Sequence, residues 1–146
     1  MSLQELYQEM IVDHSKSPRN FGKLDHAVHA EGYNPLCGDK VEIYIVLEGN
    51  CVKDIRFLGS GCAISTASAS LMTECVKSKT TQDIKKISEE FQSMLTHDDY
   101  VASKDLGKLT VFQGVREFPT RVKCATLAWH TLRSVLRGKE KVVSTE

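Results

Sequence analysis

The chain has 146 residues, enough for one domain of ordinary size that buries most of its apolar surface without disulfides or a partner. Its 19 basic and 19 acidic residues cancel, so no global field recommends nucleic acid or an anionic membrane as a partner. No apolar run is long enough to span a bilayer, residues 1–5 lack the basic and apolar parts of a signal peptide, and five cysteines are an odd number for a disulfide framework. A cytoplasmic, reducing location is expected, which leaves metal binding, catalysis or burial to explain the cysteines.

In chain order, Ser2 and Glu5 form an S-x-x-E capping box before Leu3, Leu6, Tyr7, Met10 and His14 at helical spacing, and Pro18 and Gly22 stop that helix. Residues 28–33 read as a short strand. In residues 40–48, Val41, Ile43, Ile45 and Leu47 alternate with Lys40, Glu42, Tyr44, Val46 and Glu48, the pattern of a half-buried strand. Glu48-Gly49-Asn50 is a turn, and residues 51–58 return with Ile55 and Phe57 in phase, giving a β-hairpin. Gly59-Ser60-Gly61 then sets Cys62 at the mouth of an amphipathic run reaching Ser78, with Ile64, Ala67, Ser68, Leu71, Met72 and Cys75 on one stripe.

A second helix is predicted from Thr80 or Thr81, with Ile84, Ile87, Phe91, Met94 and Leu95 on its apolar side and His97-Asp98-Asp99 at its end. A shorter apolar run carries Leu106, Leu109, Phe112 and Val115. Phe118-Pro119 breaks it before a final helix with Leu127, Ala128, Leu132, Val135 and Leu136, which Gly138 can cap. Strands early and helices late predict an α+β domain over residues 1–141, with helices on one face of a small three-stranded antiparallel sheet; residues 142–146 read as a flexible tail.

Three cysteines stand in comparable punctuation, beside Gly or Pro at expected element boundaries: Cys37 in Asn34-Pro35-Leu36-Cys37-Gly38-Asp39, Cys62 after Gly61, and Cys124 after Pro119. Side chains so placed project from rigid elements into a shared site. Cys62 would face the unpaired N–H groups and positive dipole end of its helix, which suits a sulfur ligand. Asp39 can add a carboxylate oxygen from the turn of Cys37. Three thiolates and one carboxylate satisfy tetrahedral zinc and also suit iron held with sulfide. The residues alone leave two readings open, a shared metal site or buried free cysteines that fill space.

The other chemically able residues have plainer readings. Cys75 is in phase with Ile64, Ser68 and Leu71 and reads as packing, Cys51 as an incidental thiol beside a turn, and Trp129 as core. His14 at a helix C-terminus and His26, His29 and His97 in polar loops read as surface residues. His130, six residues after Cys124 on one helix, points nearly away from that cysteine, and no Cys–His pairing for a hydrolase recommends itself.

Four separated motifs carry a family resemblance that covers nearly the whole chain. They are His14 with Pro18-Arg19-Asn20-Phe21-Gly22, Asn34-Pro35-Leu36-Cys37-Gly38-Asp39, Gly59-Ser60-Gly61-Cys62-Ala63-Ile64-Ser65, and Arg121-Val122-Lys123-Cys124-Ala125-Thr126-Leu127-Ala128-Trp129. The chain resembles the NifU N-terminal/IscU-type iron–sulfur cluster assembly proteins, and more closely their SufU branch. IscU-type scaffolds typically carry histidine where this chain has Lys123, and a chaperone-read Leu-Pro-Pro-Val-Lys motif where it has Phe118-Pro119-Thr120-Arg121-Val122-Lys123. The longer stretch between the second and third cysteines also follows the SufU branch.

The resemblance implies metal ligands Cys37, Asp39, Cys62 and Cys124, and a zinc-dependent sulfurtransferase that acts only with a SufS-like cysteine desulfurase. It implies that Cys37 leaves zinc to carry persulfide sulfur, that Arg121 helps to reposition it, and that sulfur passes to a downstream Suf scaffold or apo-proteins. Two alternatives stay open: a scaffold assembling a labile iron–sulfur cluster on the same four ligands, and a structural zinc domain that only mediates binding.

Overall fold

The computed structural model describes residues 2–97, 104–138 and 142–144. Its elements run α1 (Leu3–Lys16), β1 (Val28–Asn34), β2 (Asp39–Glu48), β3 (Cys51–Ser60), α2 (Ala63–Val76), α3 (Thr81–Thr96), a 3₁₀ segment (Lys104–Glu117), α4 (Pro119–Leu136) and β4 (Val142–Ser144). The sheet order is β3-β2-β1-β4. The first three strands pair antiparallel, as expected from the alternation in β2, and the Gly49-Asn50 turn takes its left-handed backbone at Gly49 (φ +64°).

One face of the sheet supplies Val41, Ile43, Ile45, Val52, Ile55 and Phe57, each at most 3% exposed. Helices α2 and α4 cover that face, and α1 packs on α2. Phe91 of α3 stacks on Trp129 of α4 with ring centroids 4.9 Å apart and meets Phe112 edge-on at 5.8 Å, so three aromatic rings seal the helical side of the core. Leu106, Leu109 and Phe112 are buried, and their spacing of three matches the three residues per turn of the 3₁₀ segment. Gly107 (φ +49°) interrupts that segment. No helix among the described residues is long and apolar enough to cross a membrane.

Caps fall where the side chains predict. Ser2 Oγ accepts from the Glu5 N–H at 3.1 Å, Thr80 Oγ1 from the Asp83 N–H at 3.2 Å, and Gly138 (φ +74°) follows the end of α4. The turn after α1 is pinned to the sheet, since the Phe57 N–H donates to the Asn20 carbonyl and the Gly22 N–H to the Phe57 carbonyl. Helix α3 ends at Thr96, with the His97 N–H bonded to the Ser93 carbonyl; Asp98 and Asp99 lie outside the described residues.

Two readings differ from the structure. Val142–Ser144 pairs parallel to Glu31, Gly32 and Tyr33 and adds a fourth strand beside β1 to the three expected. Three residues are too few to show a period, and their partner lies more than a hundred residues away. His14 is buried rather than on the surface, at 3% exposure, with Nδ1 2.7 Å from Ser70 Oγ and Nε2 3.7 Å from a Glu74 oxygen. Position within α1 misled here, because α2 packs across that helix end and covers it.

Two predictions follow from this packing. A Cβ on Gly32 would lie 2.1 Å from Thr131 Oγ1 and 3.0 Å from Leu127 Cδ1, so Gly32→Ala is expected to cost about 1–3 kcal/mol in urea unfolding. Adding Thr131→Ala should return part of that loss, and no recovery would mean that α4 is not seated on Gly32. Burial first, then the Arg19 guanidinium, hold His14 below the ordinary histidine value, against the pull of Glu74 and Asp13. The unfolded chain therefore takes up this proton first, and the contribution of His14 is full above about pH 6.5 and is lost as the pH falls below it. His130, also lowered by burial, acts with the same sign. In thermal melts from pH 8 to pH 5, His14→Gln should flatten the decline, and an unchanged slope would clear His14 of it.

Candidate metal centre

The site lies where β2 begins and β3 ends. Asn34 and Asp39 face each other as the last pair of the β1–β2 hairpin, and residues 35–38 form the turn that carries Cys37, with Gly38 left-handed at φ +71°. Asp39 opens β2 and is fully buried. Cys62 is the N-cap of α2, where its Sγ accepts from the Ser65 N–H at 3.4 Å, the place a serine or aspartate oxygen usually fills. Cys124 sits in the second turn of α4 and is fully buried, deeper than the helix boundary expected for it, because Phe118 is the N-cap and Pro119 the first helical residue.

These elements bring the side chains together. Ligand atoms of Cys37, Asp39 and Cys124 lie within 4.8 Å of one another. Cys37 Sγ and Cys124 Sγ are 3.2 Å apart as free thiols, and Cys62 Sγ lies 4.0 Å from Asp39 Oδ2. With metal–sulfur bonds near 2.3 Å, neighbouring sulfurs of a tetrahedral site stand about 3.7 Å apart, so the Cys37 and Cys124 sulfurs, at 3.2 Å, need to part by only about half an ångström to take zinc. Three sulfurs and one oxygen are also an apt donor set for it. Cys62 stays outside the tight group of three.

Asp39 reinforces this assignment. Its Oδ1 accepts the Cys62 N–H at 2.9 Å and its Oδ2 faces Asn34 Nδ2 at 3.3 Å, yet among the described residues no salt bridge reaches it. A buried carboxylate without a cation is costly, and a metal ion is the natural complement. Burial first, then hydrogen bonds to Asp39 and Cys37, push the Cys124 thiol well above its ordinary range, so metal binding there displaces a proton. Arg121, three residues before Cys124 on α4, is exposed. Cys124 first, then the charges of Cys62 and Cys37, hold it above the usual arginine value.

Residues 6–125 match the NifU-like N terminal domain. The chain belongs to that family. It is 41% identical over 139 residues to the zinc-dependent sulfurtransferase SufU of Bacillus subtilis strain 168, covering 95% of each chain. It is 37% identical to the iron–sulfur cluster assembly scaffold protein IscU of Streptococcus pyogenes serotype M1, covering 92% of this chain and 85% of that one. A crystal structure from Fervidobacterium islandicum AW-1, described as a candidate iron–sulfur cluster assembly scaffold of the SUF system, superposes with TM-score 0.83 at 35% identity, covering 92% of this chain and 99% of that one. The resemblance carried by the four motifs and the α+β fold it implied are both borne out.

Within this NifU-like domain the remaining thiols stand apart from the centre. Cys75 is half-buried against the core, where burial raises its pKa, and Cys51 Sγ lies 3.3 Å from the Ser78 carbonyl. Two residues of the motifs, Asn34 and Gly61, have roles at the centre beyond those the sequence assigns them. Asn34 was noted only as part of a motif, although its cross-strand pairing with Asp39 follows from closing a hairpin over four residues. Gly61 has φ +153°, and a Cβ there would lie 2.3 Å from Asp39 Oδ1. Gly61→Ala is therefore expected to displace the carboxylate and lower zinc affinity about tenfold or more in competition with a chromophoric chelator. Gly38→Ala meets nothing within 4 Å and should cost about 1 kcal/mol of backbone strain with far less effect on zinc. Equal zinc affinities for Gly61→Ala and the parent protein would remove Asp39 from the ligand set.

Proposed function

We propose that this protein is a zinc-dependent sulfur acceptor of iron–sulfur cluster biogenesis, in which Cys37 takes persulfide sulfur from a cysteine desulfurase while Asp39, Cys62 and Cys124 keep the metal. The observation that carries the reading is the asymmetry of the centre. Asp39 and Cys124 are 0% exposed on β2 and α4, whereas Cys37 is partly exposed on a turn. Its neighbour Leu36 is 62% exposed, so apolar surface for a docking protein lies next to the reactive thiol.

Zinc, when bound, stores the cysteines as thiolates and protects them from oxidation. On docking, Cys37 turns toward the partner and its thiolate attacks the outer sulfur of the partner's persulfide. The new S–S bond forms at Cys37 Sγ, the old one breaks, and the partner's cysteine leaves as thiolate, so sulfur moves with no net redox change. Arg121, whose pKa the cysteine sulfurs raise, offers a cation to the departing Cys37. A downstream scaffold or apo-protein then receives the sulfur. The SufU-named relative at 41% identity supports this reading, and the lysine at position 123 agrees with that branch.

The IscU-named relative at 37% identity favours a second reading, in which the same ligands assemble an iron–sulfur cluster and Asp39 keeps it labile. Protein prepared without oxygen, with iron supplied and zinc limiting, separates the two. About one zinc per chain with no sulfide and no visible absorption is expected, as for one four-ligand site; iron with matching acid-labile sulfide in a coloured protein would instead establish the scaffold. Cys37→Ala is expected to lose uptake of labelled sulfur from the desulfurase by about a hundredfold or more, as for other activated nucleophiles. Uptake equal to that of the parent would show another cysteine to be the acceptor.

A further inference from the structure

We propose that Asn34 is a positioning residue that holds Asp39 and Cys124 in ligand geometry while Cys37 is away from the metal, an inference that rests on the metal-site reading above. Asn34 closes β1 and is 0% exposed. Its Oδ1 accepts the Leu36 N–H at 3.3 Å, which fixes the orientation of the amide and turns Nδ2 toward the centre. Nδ2 donates to Asp39 Oδ2 at 3.3 Å and reaches Cys124 Sγ at 3.5 Å. One amide therefore spans two ligands that are 85 residues apart, each drawn from a different element.

Among the described residues no other side chain outside the ligand set hydrogen-bonds to both Asp39 and Cys124. Asp39 Oδ1 is already occupied by the Cys62 N–H, and of Asn34 Nδ2 at 3.3 Å and the Cys62 thiol at 4.0 Å, both of which reach Oδ2, the amide keeps its donor when a metal replaces the thiol proton. Cys124 Sγ has its thiol proton directed to the Thr120 carbonyl at 3.7 Å and to Cys37 at 3.2 Å, and both contacts lose their donor once a metal replaces that proton. The Asn34 N–H is a donor to the sulfur before and after metal binding. Cys37 receives no such anchor among the described residues. Its turn is joined to the Asn34 amide through the Leu36 N–H, and its contact with Cys124 Sγ loses its donor when a metal binds, so Cys37 can swing out while the amide keeps Asp39 and Cys124 in register.

The test is zinc affinity, measured by competition with a chromophoric chelator at fixed pH, for the parent, Asn34→Ala, Cys37→Ala and the double variant, with circular dichroism as the fold control. Asn34→Ala is expected to weaken zinc about tenfold, the size of effect seen when partners of metal ligands are removed. In the double variant the loss should exceed the product of the two single losses by threefold or more, because Asp39 and Cys124 then carry a larger share of the binding. Asn34→Asp keeps the acceptor for Leu36 but turns an oxygen toward Asp39 and Cys124, and should lose affinity as well. Cobalt bound to Asn34→Ala should show an altered thiolate charge-transfer band, which a change of fold stability alone would not produce.

Zinc affinities within twofold of the matching parent, in both the parent and the Cys37→Ala backgrounds, would overturn the role of Asn34 and leave the metal site standing. Tight zinc in Asn34→Asp would overturn the need for the donor. Absence of tight zinc in the parent would overturn the site reading and this inference together, and two Asn34 variants that fail to fold would make Asn34 a residue of the hairpin rather than of the centre.

Discussion

A carboxylate buried without a cation is the constraint around which this end of the molecule is built. Asp39 must lie at the first position of β2 to face the thiols, and it is tolerable there only because backbone and amide N–H groups meet both oxygens. One of those donors is the N–H of Cys62, at the positive end of α2, where a negative group is locally favoured. Gly61 must then be glycine for two reasons, since its backbone is left-handed and its missing Cβ is the space Asp39 fills. Through Asn34 the same carboxylate is tied to Cys124, so β1, β2, α2 and α4 converge on one polar group.

Much of this was legible in the residues because it depends on local chemistry. The alternation of Val41, Ile43 and Ile45 needs only a period of two, and Ser2, Thr80 and the Gly61-Cys62 step announce helix starts by what their side chains accept. What stayed hidden depends on contacts distant in sequence. His14 has the pattern of a helix end and is buried because Ser70 and Glu74 of α2 lie against it. β4 exists through its pairing with β1, and nothing in three residues signals that. Cys124 was placed near a boundary because Pro119 marks one, but a helix of 18 residues turns the sulfur inward at its second turn. Asn34 could have been found from the hairpin itself, because a four-residue loop makes residues 34 and 39 opposite neighbours.

Burial and backbone freedom decide which cysteine is able to leave. A metal shared by residues 37, 62 and 124 would cross-link the hairpin, α2 and α4, so that binding energy becomes folding energy, as linkage requires for any ligand that the unfolded chain does not hold. Withdrawing Cys124 would drag a fully buried position out of α4, and withdrawing Cys62 would uncap α2 and take the N–H from Asp39. Withdrawing Cys37 disturbs a turn whose Gly38 has open space around it. The rest of the clamp, Asn34 to Asp39 and Cys124 and Cys62 to Asp39, closes without it. Under the proposed function, the division of labour between a thiol that moves and ligands that stay would thus be set by burial and backbone freedom, before any partner docks.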